Sequence, residues 1–197
     1  MHTTHYIFII ASYLLGSVPF GVLVARALGK ADPRKSGSGN IGATNVTRSL
    51  GKAAGAVTLL LDVAKGAVPT VLAAALFLDP QMMALAAFAA LVGHLFPVFL
   101  GFKGGKGVAT VLGITLAISP ISGILCLVVF IVLVAVTRYV SLGSIVSVSI
   151  MPVFIGFRGG SVYFTYMAVA IAVLIIIKHS ENIKRLSAGT ENKIGPS

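Results

Sequence analysis

Between Lys35 and Arg48 the chain reads Lys-Ser-Gly-Ser-Gly-Asn-Ile-Gly-Ala-Thr-Asn-Val-Thr-Arg, a polar stretch set in an otherwise apolar sequence. Gly37, Gly39 and Gly42 let backbone N–H groups converge on an anion. Ser36, Ser38, Asn40, Thr44 and Asn45 add neutral donors, and Lys35 and Arg48 add charge. Those residue types together are how a protein holds a phosphate. A second island, Gly101-Phe102-Lys103-Gly104-Gly105-Lys106-Gly107, repeats the recipe directly before an apolar run. The N–H groups opening a helix there would face an anion that Lys103 and Lys106 also attract. It is not a nucleotide-binding P-loop, because Leu100 stands where that motif needs its first glycine and Gly107 where it needs a hydroxyl. In a third island, 178–193, His179, Asn182 and Arg185 recur every three residues and so share one helical face. Each island alone reads as a solvated loop or a set of headgroup anchors. Three together read as an anion site.

The acids are few. Glu191 lies among cations and is expected to be a salt-bridge partner rather than a general base. Asp62 and Lys65, three apart within an apolar run, are expected to pair with each other. His94 is expected to be a hydrogen-bonded histidine within the membrane, where ionisable groups are functional candidates by default. No cluster with metal-ligand spacing is visible and Cys126 is the single cysteine, so neither a metal nor a disulfide framework is expected.

What must position these residues is set by composition. The chain has 197 residues, 57% of them hydrophobic and only 10% charged, with a mean hydropathy of +1.01. That is far more apolar surface than a soluble domain buries, and the expectation is an all-α integral membrane protein forming one domain over 1–197. The net charge of +10 sits between apolar runs rather than along a helix face, which favours anionic headgroups or a phosphorylated substrate over nucleic acid. Apolar runs at 6–25, 53–78, 82–100, 141–157 and 161–177 each suit one crossing, the first kinked at Pro19 and retained rather than cleaved. The run 108–136 is ambiguous. One tilted helix would put Lys103 and Lys106 across the membrane from Arg138, whereas two helices divided at Ser119-Pro120 keep all three on one side. The positive-inside rule favours two, the first only roughly 17 Å long and therefore short or re-entrant. Seven crossings with the N-terminus outside place thirteen of the fifteen Lys and Arg in the cytoplasm, and all three islands with them. A transporter for a phosphorylated metabolite is the alternative. It is disfavoured by the lack of an inverted repeat and by islands that lie on one face instead of at the midplane.

The stretches Ser36-Gly37-Ser38-Gly39-Asn40-Ile41-Gly42-Ala43-Thr44-Asn45, Gly93-His94-Leu95-Phe96-Pro97 running into Phe102-Lys103-Gly104-Gly105-Lys106-Gly107-Val108-Ala109-Thr110, and His179-Ser180-Glu181-Asn182-Ile183-Lys184-Arg185-Leu186 with Gly189 and Glu191 closely resemble the three signatures of the bacterial acyl-phosphate-dependent glycerol-3-phosphate acyltransferases, the PlsY family. The resemblance implies a seven-helix enzyme of the bacterial inner membrane with its active site at the cytoplasmic face. Such an enzyme moves a fatty acyl group from acyl phosphate to the sn-1 hydroxyl of glycerol 3-phosphate, giving lysophosphatidic acid and phosphate, the first acylation in phospholipid synthesis. It further implies glycerol 3-phosphate binding by Gly104, Gly105 and Gly107, and roles in activity for Ser36 or Ser38, for Arg48, and for His179 and Asn182. Lys103, Lys106 and Arg185 are expected to contact phosphate, with Asp62, Lys65, His94 and Glu191 in support. The expected partners are the two substrates and membrane lipid, with functional coupling to the enzyme that makes acyl phosphate, no cofactor, and a monomeric state. For the proton of the attacking hydroxyl, His179 is the obvious base, yet a phosphate oxygen of the donor lies beside the reacting carbonyl and is the favoured acceptor.

Overall fold

The computed structural model describes residues 2–195, and among these every regular element is helical. The expected kink at Pro19 is present, and it is sharp enough to break the first crossing into two helices. Helix α1 (Thr3–Ser17) and helix α2 (Phe20–Ala27) meet at 47°, with Val18 and Pro19 outside helical geometry between them. Proline has no N–H to continue the ladder, and the Val18 carbonyl freed by the break accepts from Lys65 Nζ at 2.9 Å. A side chain of another helix thus supplies what water cannot supply within a bilayer.

The first island is not all loop. It contains α3 (Ala43–Leu50), whose buried Val46 seats it beside Gly21 of α2. Helix α4 (Lys52–Phe77) follows, then α5 (Pro80–Leu95), started by Asp79, whose side chain accepts from the Gln81 amide. The run 108–136 is two helices, α6 (Val108–Ile118) and α7 (Pro120–Thr137), divided at Ser119, which closes the first and caps the second. Helices α8 (Val140–Phe157) and α9 (Val162–Lys178) complete the bundle. Helix α10 (Ser180–Ser187) turns away from α9 by 59° at His179.

Helix α5 is the axis, packed on α1, α4 and α9, and 61% of its span is buried. Alanines and glycines let it approach its neighbours so closely: a side chain on Gly93 would strike the Tyr13 carbonyl of α1, and one on Gly16 the Ala90 carbonyl of α5. Small residues at crossings are how helices associate where lipid removes the hydrophobic drive. Helices α4 and α6 meet the same way, through Gly66 and Gly113. Among the described residues four helical spans are long and apolar enough to cross a membrane, and six are if each bent pair is one span. The seven expected crossings therefore require α6, with 11 residues, as the seventh.

Candidate active site

The first island folds around one side chain. Asn45, buried in α3, accepts from the Ser38 amide at 2.8 Å and donates through Nδ2 to the carbonyls of Pro33, Ser36 and Asn40 at 2.7, 3.2 and 2.8 Å. Asn45 also lines the cavity described below, and its side-chain amide is taken up in closing the loop. Gly37 and Gly39 sit at φ 59° and 67°, the left-handed region that the turn requires. Ser38 reaches the cavity described below, whereas Ser36, Gly37 and Gly39 do not line it. Of the two serines, Ser38 is the one placed beside the cavity.

The second island is built around His94. The Gly105 amide donates to the His94 carbonyl at 3.1 Å, and a side chain on Gly105 would overlap His94 Nε2, as one on Gly104 would overlap the His94 carbonyl and Pro97. These two glycines make room, and the Gly105 amide is not available to an anion. Neither they nor exposed Lys103 line the cavity. Lys106, Gly107, Val108 and Ala109 do line it.

The third island converges on Glu191. Lys106 Nζ donates to Asn182 Oδ1, and Asn182 Nδ2 donates to Glu191 Oε1 at 2.7 Å. Ser141 of α8 donates to the same oxygen at 3.0 Å, and Arg185 Nε to Oε2 at 2.7 Å. Burial pushes the Glu191 carboxyl up, but the hydrogen bonds from Asn182, Arg185 and Ser141 outweigh it and hold the group below its ordinary value. An ionised carboxylate with both oxygens taken is a brace. Burial lowers Lys106, reinforced by Arg185 and Arg48 and opposed by Glu191.

His179 lies just beyond the end of α9. Its Nδ1 is 2.8 Å from the Ile175 carbonyl, which can only accept, so Nδ1 carries the proton and neutral His179 presents the Nε2 lone pair. Burial pushes this imidazole from an ordinary 6.5 down to about 4, partly offset by the Ile175 bond and deepened by Lys106.

These pieces enclose a cavity of about 260 Å³. At one end stand Ser38, Asn40, Thr44, Arg48, Lys106, His179, Asn182 and Arg185. Arg48 makes no ion pair among the described residues. The first residues of α3 (Ala43, Thr44) and of α6 (Val108, Ala109) line the same end, where helix N-termini offer unpaired amides to an anion. The other end is apolar, walled by Val111 and Leu112 of α6, Leu127 and Phe130 of α7, and Val148 and Met151 of α8. Asp62 and His94 form part of the wall deeper in the bundle. Asp62 pairs with Lys65 at 2.9 Å. Sequence reasoning missed Ser141 and its neighbours Ser144 and Ser147, which also line the cavity; a serine every third residue in an otherwise apolar helix is the signal that could have found them.

Comparison with known proteins gives a consistent result. The sequence profile of the family described as glycerol-3-phosphate acyltransferase matches residues 6–189. A glycerol-3-phosphate acyltransferase of Geobacter sulfurreducens is 51% identical over 183 residues, covering 92% of this chain and 93% of the relative. One from Neisseria meningitidis serogroup B is 46% identical over 190 residues, covering 94% and 95%. Two crystal structures of PlsY (YgiH), described as an integral membrane glycerol 3-phosphate acyltransferase in its glycerol 3-phosphate form and its lysophosphatidic acid form, are similar in fold. Their TM-scores are 0.93 and 0.92, each at 42% identity and covering 98% of this chain and 96% of the other.

Proposed function

This chain belongs to the glycerol-3-phosphate acyltransferase family, and on that premise we propose that it takes its acyl group from acyl phosphate and delivers it to the sn-1 hydroxyl of glycerol 3-phosphate. It is a multi-pass membrane acyltransferase. The observation that carries the finer reading is the two-ended cavity: an end with Arg48, Lys106, Arg185 and two helix N-termini, continuous with an apolar groove. Two phosphates, one on each substrate, suit the first end, and one fatty chain suits the second.

The reaction follows from those surroundings. The glycerol oxygen attacks the acyl carbonyl, a carbon–oxygen bond forms, and the carbon–oxygen bond to phosphate breaks. The acyl donor is a mixed anhydride with a good leaving group, so positioning and charge stabilisation suffice as catalysis. Arg48, Lys106 and Arg185 hold the phosphates, and Ser38 and Thr44 add neutral donors. Neutral His179 cannot donate from Nε2 to phosphate; it accepts a hydrogen bond from the neighbouring sn-2 hydroxyl and so aims the sn-1 oxygen, whose own proton faces the donor phosphate, with Asn182 holding Lys106 beside it. An imidazole pushed down to about 4 is a weak base, and the proton passes to the departing phosphate. His179→Gln keeps a polar group but removes the ring base. Substantial residual turnover is expected, with His179→Ala much worse; loss of orders of magnitude with both substrates still bound would make His179 the base.

The charge distribution supports an N-terminus outside, with the cavity mouth and C-terminus at the cytoplasmic face of the bacterial inner membrane; we further propose that the protein acts as a monomer supplied by the enzyme that makes acyl phosphate. The deciding experiment gives the purified protein glycerol 3-phosphate with acyl phosphate, acyl-CoA or acyl carrier protein in separate reactions. Product and released phosphate are expected from acyl phosphate alone. Equal product from a thioester would sink the donor assignment while leaving the family intact.

A further inference from the structure

His94 stands next to the end of α5 and grips the Lys106 segment on both sides. Ahead of Lys106, the His94 carbonyl takes the Gly105 amide at 3.1 Å and the ring fills the space beside Gly105. Behind it, His94 Nδ1 lies 3.2 Å from Thr110 Oγ1, in the first turn of α6. Asp62 stands near the same nitrogen, its Oδ1 3.8 Å from Nδ1, beyond hydrogen-bond reach. Asp62 in turn is fixed by Lys65, which reaches across to the Val18 carbonyl at the break between α1 and α2. His94, Asp62, Lys65 and Thr110 are all buried.

The segment they hold has little order of its own: residues 103–107 belong to no helix or strand. Yet it must deliver Lys106 to Asn182 across the cavity mouth. A histidine serving only to fill the core would have no reason to contact both the residue before Lys106 and the turn after it. We propose that His94 is a positioning residue for Lys106: it clamps Gly105 and Thr110 so that the intervening lysine is presented to substrate phosphate. The Asp62–Lys65 pair of α4 packs beside the clamp and ties α4 to the break in the first span. The inference rests on the reading of Lys106 as a phosphate ligand.

A double-mutant cycle on kcat/KM, with thermal unfolding in detergent measured alongside, separates positioning from mere stability. His94→Ala is expected to lose roughly tenfold or more, as contacting residues that share a task do. In the Lys106→Ala background the same change is expected to lose almost nothing further, because a clamp has no effect on activity once the group it presents is gone. His94→Asn, which keeps a polar atom near the Nδ1 position, is expected to recover much of the loss. Should His94→Ala fail to fold, the same cycle is run with Thr110→Val. Losses that multiply in the double variant would overturn the clamp and leave Lys106's role standing. Near-normal turnover in Lys106→Ala alone would overturn both.

Discussion

The first and second islands are alike in sequence, each a run of glycines with a cation and a helix behind it, but Gly39 in the first and Gly104 and Gly105 in the second are needed for different reasons. In the first, glycine supplies a backbone angle: Gly39 lies at φ 67°, with only the Arg34 carbonyl near, 3.5 Å from where a Cβ would be. The loop is closed by a side chain, Asn45, acting on backbone groups. In the second, glycine supplies space: at Gly104 and Gly105 the backbone is pressed against His94 and Pro97. There the loop is closed by a backbone bond and a packed ring. A glycine in a ligand-binding loop therefore does not by itself mark a contact with ligand.

Substitutions can break this contrast. The largest effect is expected for Asn45→Ala, which takes away the partner of the Ser38 amide and of the Asn40 carbonyl, while the Pro33 and Ser36 carbonyls keep the Ser36 and Gly39 amides. A buried group left unpaired costs about 1–3 kcal/mol, so both the thermal midpoint and turnover should fall, whereas a small shift would mean that the loop closes without its central amide. Next comes Gly105→Ala, where the methyl meets the His94 ring; overpacking of this kind costs roughly 1–3 kcal/mol, and lower activity should accompany lower stability. Gly39→Ala is expected to cost about 1–2 kcal/mol from backbone strain alone. Asparagine, which tolerates the left-handed region, should recover most of that at position 39 and make matters worse at position 105. If asparagine behaved alike at both sites, the distinction between angle and space would fail. The smallest effect is expected in the third island, where a buried ring rather than a glycine shapes the site. With His179 pushed down to about 4, the ring stays neutral as pH falls through 6.5. The rate profile should then show no acid limb from this group until pH approaches 4, and a limb near 6.5 that disappears in His179→Gln would contradict it.

The sequence carried the helical architecture, the division at Ser119-Pro120 and the gathering of cations near one cavity, because hydropathy runs and charge placement are local signals. It carried less of the detail. Pro19 announces a disturbance but does not distinguish a bend from a full break, since that depends on whether Lys65 is within reach of the Val18 carbonyl. Asn45 looks like a ligand donor until the loop closes and its amide is surrounded by backbone. Gly105 looks like an anion cradle until His94, 11 positions earlier in the chain, arrives beside it. In each case the deciding neighbour is distant in sequence or fixed only by the closed loop, so residue type alone could not reveal it.

Helix α7 carries a consequence for how such an enzyme is supplied. It walls the apolar groove with Leu127 and Phe130, yet only 11% of it is buried, and Ile124, Val128, Ile131 and Val132 point outward from the bundle. The groove and the surrounding lipid are therefore one helix apart. A fatty substrate reaching the groove past α7 stays within hydrocarbon and crosses no aqueous phase, so its working concentration is a mole fraction in the plane of the membrane. Inert lipid added at constant total donor would dilute it and slow the reaction, while the demand for the water-borne substrate would stay where it was.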